Sequence, residues 1–427
     1  MQLLSPNRLL LLLTLSLVLL SVTSINPNST LWAQSARSAA LEQTKRVEFL
    51  DDAVREPMIV EHPNGTLFVT GYGQSGDGTP QTVPRLWQSL DHGATWQRVN
   101  VGTEADGASA NSDVDLALAP DGTLYLISMW FDLKTDEGTH IVVGASTDVG
   151  KTWRWTMVSK MRFDDRPWVA VAPDGTAHVI WNNGSVYHRM SRDRGQTWTT
   201  AEQIHPQGGS SHLAVGPKGE VAVRILPVSA SGNKFNDGVD LLAISTDGGK
   251  TWQKRSVPGV RDWAFRAPGE TPRWVEPLAW DENDSLYLLW TQVGGVWLGR
   301  SQDDGATWTK WRIAASEGDT LAYFPYLTAH GRGELAGAWH LGVGSNLRWQ
   351  VCRIQIDSGA EPHTTCSNPL ELDTWTKGDP EHEIAPERST GGEYLPVLFL
   401  RNGELAVATP IQNSAAKRFG FTFWKFK

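Results

Sequence analysis

Five octapeptides of one pattern, S-x-D-x-G-x-T-W, recur along the chain and constrain its fold more tightly than any other feature. They read SLDHGATW (89–96), STDVGKTW (146–153), SRDRGQTW (191–198), STDGGKTW (245–252) and SQDDGATW (301–308). Their aspartates, Asp91, Asp148, Asp193, Asp247 and Asp303, are spaced 57, 45, 54 and 56 residues apart. A sixth copy is expected near Asp357, where QIDSGAEP keeps the Asp and Gly359 but lacks the Ser, Thr and Trp. A period of this length marks a repeat architecture rather than a string of independent domains.

A second signal precedes each copy. EHPNGTLFVT, LAPDGTLYLI, VAPDGTAHVI, VGPKGEVAVR, WDENDSLYLLW and AHGRGELAGAW each carry a short apolar run, a turn and an alternating β-rich run. That is a hairpin signature. A seventh, LFLRNGELAVAT, follows near residue 400 with no octapeptide after it. Each unit therefore reads strand, tight turn, strand, loop, strand, octapeptide turn, strand. Four antiparallel strands per unit, without helical periodicity, predict an all-β chain folded as a β-propeller. Seven hairpins predict seven blades, and six would follow if one unit were an insertion. The last unit supplies three strands, so KRVEFL (45–50) is the expected fourth, closing the ring and removing open sheet edges.

Within such a blade the octapeptide is the turn between the third and fourth strands. Its Gly admits positive φ, its Asp, Ser and Thr can hydrogen-bond the turn, and its Trp can cover the hairpin. A catalytic or calcium-binding Asp148 would not require five symmetric copies, so the five aspartates are read as structural. The degenerate sixth copy lies between Cys352 and Cys366, the chain's two cysteines, each seven residues from Gly359. A hairpin turning there sets them face to face. In an exported protein such a pair is expected to form a disulfide, contributing about 3 kcal/mol by loop closure.

Export is expected from the N-terminus. Arg8 precedes the apolar run LLLLLTLSLVLLSV (9–22), and small residues around Ala33 and Ala36 follow, so residues 1–36 read as a signal peptide and linker. The run is short against the roughly 20 residues of a membrane span. No span is therefore expected after signal removal, although a retained signal would act as an anchor. Residues 37–427 are then a single propeller domain, secreted or held in the periplasm or cell envelope. A net charge of −9, with both signs interspersed and no basic run, excludes nucleic acid as a partner. No phosphate-binding glycine loop, nucleophile-elbow serine or zinc motif occurs, so neither a metal nor another cofactor is expected. The expected state is a monomer. Asn28, Asn64, Asn183 and Asn283 begin glycosylation sequons, relevant only in a glycosylating host.

Topology also separates the faces of the disc. First hairpins and octapeptide turns share one face, while starts of first strands and ends of second strands ring the channel on the other. The first-strand starts bring Arg55, Asp113, Asp115, Asp164, Asp165, Arg166, His212, Arg273, Glu276, Tyr323, Tyr326, Glu393 and Tyr394 to that second rim. The second-strand ends add Trp130, Asp132, Trp181, Trp290, Trp339 and His340. Arginines grip carboxylates bidentately, carboxylates can support glycosidic bond cleavage, and tryptophan faces stack on sugar rings. This rim points to a glycan or another anionic ligand. Trp130, Trp181, Trp290, Trp339, His212 and Tyr394 are its candidate substrate contacts.

The octapeptide resembles the Asp-box, or bacterial neuraminidase repeat, of sialidases and related propellers, and the resemblance covers nearly all of residues 37–427. A further match is VREPMIVEHPNGTLFV (54–69), which is similar to the family's Arg-Ile-Pro segment. Arg55 and Pro57 match, Glu56 stands in place of Ile, and Val54 replaces an aromatic residue. The resemblance implies six blades, three arginines, a Tyr–Glu pair and an acid/base Asp. Carried over, it makes Arg55, Arg166 and Arg273 the carboxylate clamps, Tyr326 with Glu276 the nucleophile and its base, and Asp77 the acid/base. Two functions follow. One is an exported sialidase-like glycoside hydrolase acting on anionic glycans, and the other is a non-catalytic propeller that binds glycan or protein.

Overall fold

A computed structural model describes residues 40–73, 80–208, 210–226, 240–258, 276–292, 294–316, 322–342, 347–357, 361–372, 391–413 and 416–427. The expected signal segment, Asp77, Arg273 and Gly359 lie outside the described residues. Seven antiparallel sheets follow one another around a ring. Six are built from consecutive strands, such as Arg55–Glu61, Leu67–Tyr72, Arg85–Ser89 and Gln97–Arg98 in blade 1. Blade 7 pairs Val397–Phe399, Leu405–Asn413 and Arg418–Phe426 with the N-terminal strand Gln43–Leu50. The ring is closed by this strand, in the register Arg46 opposite Trp424 and Leu50 opposite Gly420.

The first hairpins show why short sequences suffice to set the blades. In blade 2, Ala119 N–H donates to Thr123 O at 2.9 Å and Gly122 N–H to Ala119 O at 2.9 Å. The Asp121 carboxylate accepts the Thr123 amide at 2.9 Å. Gly122 has φ +88°, a conformation open to Gly at little cost. Blade 3 repeats the arrangement with Ala172, Asp174, Gly175 and Thr176.

Each octapeptide turn is wired alike. In the second copy, Ser146 Oγ donates to Asp148 Oδ1 at 2.8 Å, Gly150 N–H to Ser146 Oγ at 2.9 Å, and Thr152 donates its amide and hydroxyl to the two Asp148 oxygens at 2.9 and 2.6 Å. Asp91, Asp193, Asp247 and Asp303 hold their turns by the same pattern. The turn glycine also abuts a neighbouring blade. A Cβ on Gly93 would lie 2.1 Å from Phe423, and one on Gly305 2.5 Å from Leu242. The motif is thus a self-braced turn that docks one blade on the one before it.

Blade 6, whose copy of the octapeptide lacks the Ser, Thr and Trp, carries the disulfide between Cys352 and Cys366. The two residues are direct cross-strand partners on Arg348–Gln355 and His363–Cys366. The apolar cores lie mainly between successive blades, as where Tyr125, Ile127 and Val143 of blade 2 pack with Val169, Val179 and Trp181 of blade 3.

Candidate functional site

Register fixes the two faces. Leu67 pairs with Ser89, which puts the first hairpin and the octapeptide turn at one end of blade 1. Arg55 pairs with Tyr72 at the other end. At that second end the first strands of three blades share a break. Register slips between Arg55 and Met58, between Asp165 and Trp168, and between Tyr323 and Tyr326. In each break the residue before a proline is left-handed, with φ of 47° at Glu56, 50° at Arg166 and 47° at Phe324. Residues before proline favour extended backbone, so each of these breaks is locally strained. Such strain persists where surrounding structure enforces it and concentrates at functional sites.

The breaks of blades 1 and 3 meet the entry to blade 7. Arg166 Nη1 and Nη2 donate to Glu393 Oε2 and Oε1 at 2.5 and 3.2 Å, a bidentate ion pair joining blade 3 to blade 7. Glu56 accepts the Tyr72 hydroxyl at 2.9 Å and the Glu393 amide at 3.2 Å. Its Cγ lies 2.1 Å from where a Cβ on Gly392 would stand, so only glycine fits beside it. The Arg55 guanidinium lies over the Tyr72 ring at 5.7 Å. Asp113, from the start of blade 2, completes the group, because its charge acts on Arg55, Glu56, Tyr72, Asp165 and Tyr394 alike.

Four carboxyl groups, Glu56, Asp113, Asp165 and Glu393, thus share a site with Arg55 and Arg166. Burial pushes Glu56 well above the usual carboxylate range, reinforced by Asp113 and Glu393 and opposed by Arg55 and Arg166. Burial also raises Asp165 to about 7, against the pull of Arg166 and with help from Asp113 and Glu393. A third of the Asp165 side chain (33 %) stays accessible. Perturbed carboxyls clustered with charged partners mark candidate acid–base sites.

Aromatic residues extend the site across the channel. Trp168 packs on Tyr394 at 4.9 Å and on His212 at 4.6 Å, and His212 meets Tyr326 edge-on at 5.9 Å. Burial holds His212 neutral, lowering it to about 3, and its Nδ1 accepts the Leu278 amide at 3.3 Å. Burial and then the charge of Asp115 raise the Tyr326 phenol well above its usual value. Asp115 accepts the Leu116 and Val169 amides at 2.8 and 2.9 Å and is raised by burial to about 8. The Tyr394 hydroxyl, Trp168 Nε1 and Arg55 Nε are buried without a hydrogen-bond partner.

The remaining candidates fall elsewhere. Glu276 is gripped by the fully buried Arg224 at 2.6 and 3.1 Å, while Tyr326 packs on His212. Trp181, Trp290 and Trp339 are buried in the cores between blades. Trp130 is half-buried and stacks on His140 at 5.8 Å. The box carboxylates belong to the opposite face. Glu56 and Tyr72 were not among the sequence candidates, and the signal that could have found Glu56 is the x-Pro step shared by residues 57, 167 and 325. Among the described residues, no group of three or more His, Cys, Asp or Glu side chains could hold a metal ion.

The BNR/Asp-box repeat family matches residues 243–254, the fourth octapeptide with two residues on either side. No curated protein matches the sequence. Similar solved structures include the GH93 α-L-arabinofuranosidase of Fusarium graminearum, 14 % identical over 90 % of this chain and 97 % of that one, with a TM-score of 0.50. The GH74 xyloglucanase of Xanthomonas campestris is 13 % identical over 86 % of this chain and 52 % of its own, with a TM-score of 0.51. A fungal alcohol oxidase of the AA5 family, solved with copper, is 10 % identical over 91 % and 76 %, with a TM-score of 0.55. At these identities the likeness is one of fold. The chain is a β-propeller of seven blades that carries a BNR/Asp-box repeat.

Proposed function

We propose that the chain is an exported glycoside hydrolase whose reaction centre is the carboxyl cluster at the channel mouth. The observation that carries this reading is four carboxyl groups gathered from blades 1, 2, 3 and 7 into one cluster with Arg55 and Arg166, one of them a third accessible and raised to about 7. Glycosidic cleavage needs a carboxylic acid to protonate the leaving oxygen and a carboxylate to stabilise or receive the sugar cation. Asp165 takes the first role and Asp113, central among the charges, the second. Glu393 and Arg166 hold each other and position the floor, while the buried Trp168 and Tyr394 pack behind it. The arabinofuranosidase and xyloglucanase named above support the class. Export is supported by the N-terminal sequence and by the disulfide, which suits an oxidising compartment.

A sialidase form of this reading draws on Arg55 and Arg166 lying in the same cluster, where they could take a sugar carboxylate. Against it stand the bidentate Glu393 on Arg166 and the majority of carboxyls over arginines, which favour a neutral glycan. The test is a panel of sialosides, arabino- and xylo-oligosaccharides, incubated with wild type, Asp113→Asn and Arg55→Ala. The proposal expects a neutral glycan to be cleaved, and Asp113→Asn to lose on the order of 10²–10⁴-fold in kcat. Cleavage of sialosides alone, lost in Arg55→Ala, would establish the sialidase form. Glycan binding without cleavage by wild type would overturn the enzyme reading in favour of a binding propeller.

A further inference from the structure

The opposite mouth of the channel holds a second feature that the proposed reaction does not use. There the first strands of blades 2 to 5 end in Leu118, Val171, Val215 and Trp280, and that of blade 6 has Ala329 one residue before its end, one equivalent apolar position from each blade. All five side chains are half-buried. They line an open cavity of about 480 Å³, collared by the exposed Pro120, Pro173 and Pro217 of the hairpin turns. That volume lies within the roughly 300–1,000 Å³ of ligand pockets. Trp280 Nε1 is buried there without an acceptor.

The collar is acidic. Its turns carry Asp121, Asp174, Asp281, Glu282 and Asp284 against Lys218 and Arg332. Of the cations at hand, Lys218 is already bound to Asp284, and Arg194 to Asp121 at 2.7 Å. Asp281 is saturated by the amides of Asn283, Ser285 and Gly333 and by the Tyr287 hydroxyl, whereas Glu282 is exposed at the lip. On blade 1 the apolar position is replaced by Glu61, which accepts the Arg401 amide at 2.7 Å. The same face bears the five box carboxylates, which their turn donors keep ionised.

We propose that this pit is a docking site for a peptide segment of a partner protein that presents one aromatic or large aliphatic side chain between cationic residues. The apolar side chain fills the cavity, and its neighbours meet Glu282 and the acidic collar. Oppositely charged rims raise association rate and select partners, while a buried aromatic anchor supplies most of the affinity. The site is independent of the glycan reaction, because it opens on the other face of the disc.

The test is fluorescence anisotropy with three labelled pentapeptides, Lys-Lys-Trp-Lys-Lys, Lys-Lys-Ser-Lys-Lys and Glu-Glu-Trp-Glu-Glu, at physiological ionic strength. The proposal expects saturable one-to-one binding of the first, at least about tenfold tighter than of either control. Ala329→Trp, which fills the pit, should weaken it by about the same factor. The surface variant Glu282→Lys should weaken it severalfold without touching the core, and Leu133→Ser on the far face should leave it unchanged. Equal binding of the serine peptide reduces the effect to charge alone and overturns the proposal. So does absence of saturable binding, insensitivity to both Ala329→Trp and Glu282→Lys, or a concentration-dependent dimer abolished by Ala329→Trp, which would make a second copy the occupant.

Discussion

At the box turns a carboxylate stands in the open and is surrounded by donors, while at the channel mouth carboxyls are enclosed and surrounded by one another. The result is opposite proton affinities. Asp148 and Asp193 are lowered to about 2, first by the Thr152 and Thr197 side chains that bond them. Asp165 and Asp115 are raised to about 7 and 8, first by burial. The five box carboxylates are copies of one local motif, whereas Glu56, Asp113, Asp165 and Glu393 at the mouth each come from a different blade. Repetition therefore goes with stability and singularity with chemistry, although both use the same residue type.

The largest effect is expected at the mouth. If Asp165 donates the proton, activity requires its protonated form, so kcat/KM on the cleaved glycan should fall about tenfold per pH unit above about 7. In Asp165→Asn that descending limb should vanish together with most of the activity. A limb that persists in the variant assigns the proton to another group.

Next comes blade 6, the one blade with a covalent tie. Cys352→Ala with Cys366→Ala should cost about 3 kcal/mol in chemical denaturation, from the closed loop between them. Loss of activity with unchanged stability would place the disulfide in the site instead of the scaffold. Gly305→Ala should follow at about 1–3 kcal/mol, since its methyl would press on Leu242 at a positive φ of 76°. Equal destabilisation by Gly403→Ala, where a Cβ meets nothing within 4 Å, would reduce the effect to backbone strain and remove the inter-blade contact from the account.

The smallest effect belongs to single box carboxylates. Asp148→Ala should cost about 1 kcal/mol, comparable with losing a side-chain cap on backbone amides. A carboxylate lowered in the folded state stabilises above its unfolded value of about 3.9 and loses that contribution as pH falls through its folded value. Acid melting curves of wild type and Asp148→Ala should therefore differ at neutral pH and converge between about pH 4 and pH 2. A constant gap down to pH 2 would mean that the charge plays no part.

The fold was legible because its determinants are local and repeated. The hairpin turns, the octapeptides, the closing strand Gln43–Leu50 and the Cys352–Cys366 pair are all set by spacing along the chain. The mouth was legible only as a rim of strand starts. Which rim residues meet depends on partners far apart in sequence, as with Arg166 and Glu393, 227 residues from one another. The left-handed turns at Glu56 and Arg166 also rotate side chains away from where simple strand alternation would aim them. Tryptophans at second-strand ends share a sequence context but not a position, since Trp181, Trp290 and Trp339 lie four residues beyond the equivalent first paired residue of their strand and Trp130 lies six beyond. Trp181, Trp290 and Trp339 therefore pack into cores while Trp130 remains partly exposed.

The division between the two carboxylate sets is tested most directly by making the same substitution in each. Asp165→Asn and Asp148→Asn should be compared for kcat/KM on the cleaved glycan and for melting temperature at neutral pH. Asp165→Asn should lose on the order of 10²–10⁴-fold in activity while melting at or above the wild-type temperature, because it removes a carboxyl whose ionised form burial disfavours. Asp148→Asn should melt lower with its activity intact. The opposite assignment, activity lost at Asp148 and only stability changed at Asp165, would contradict the account.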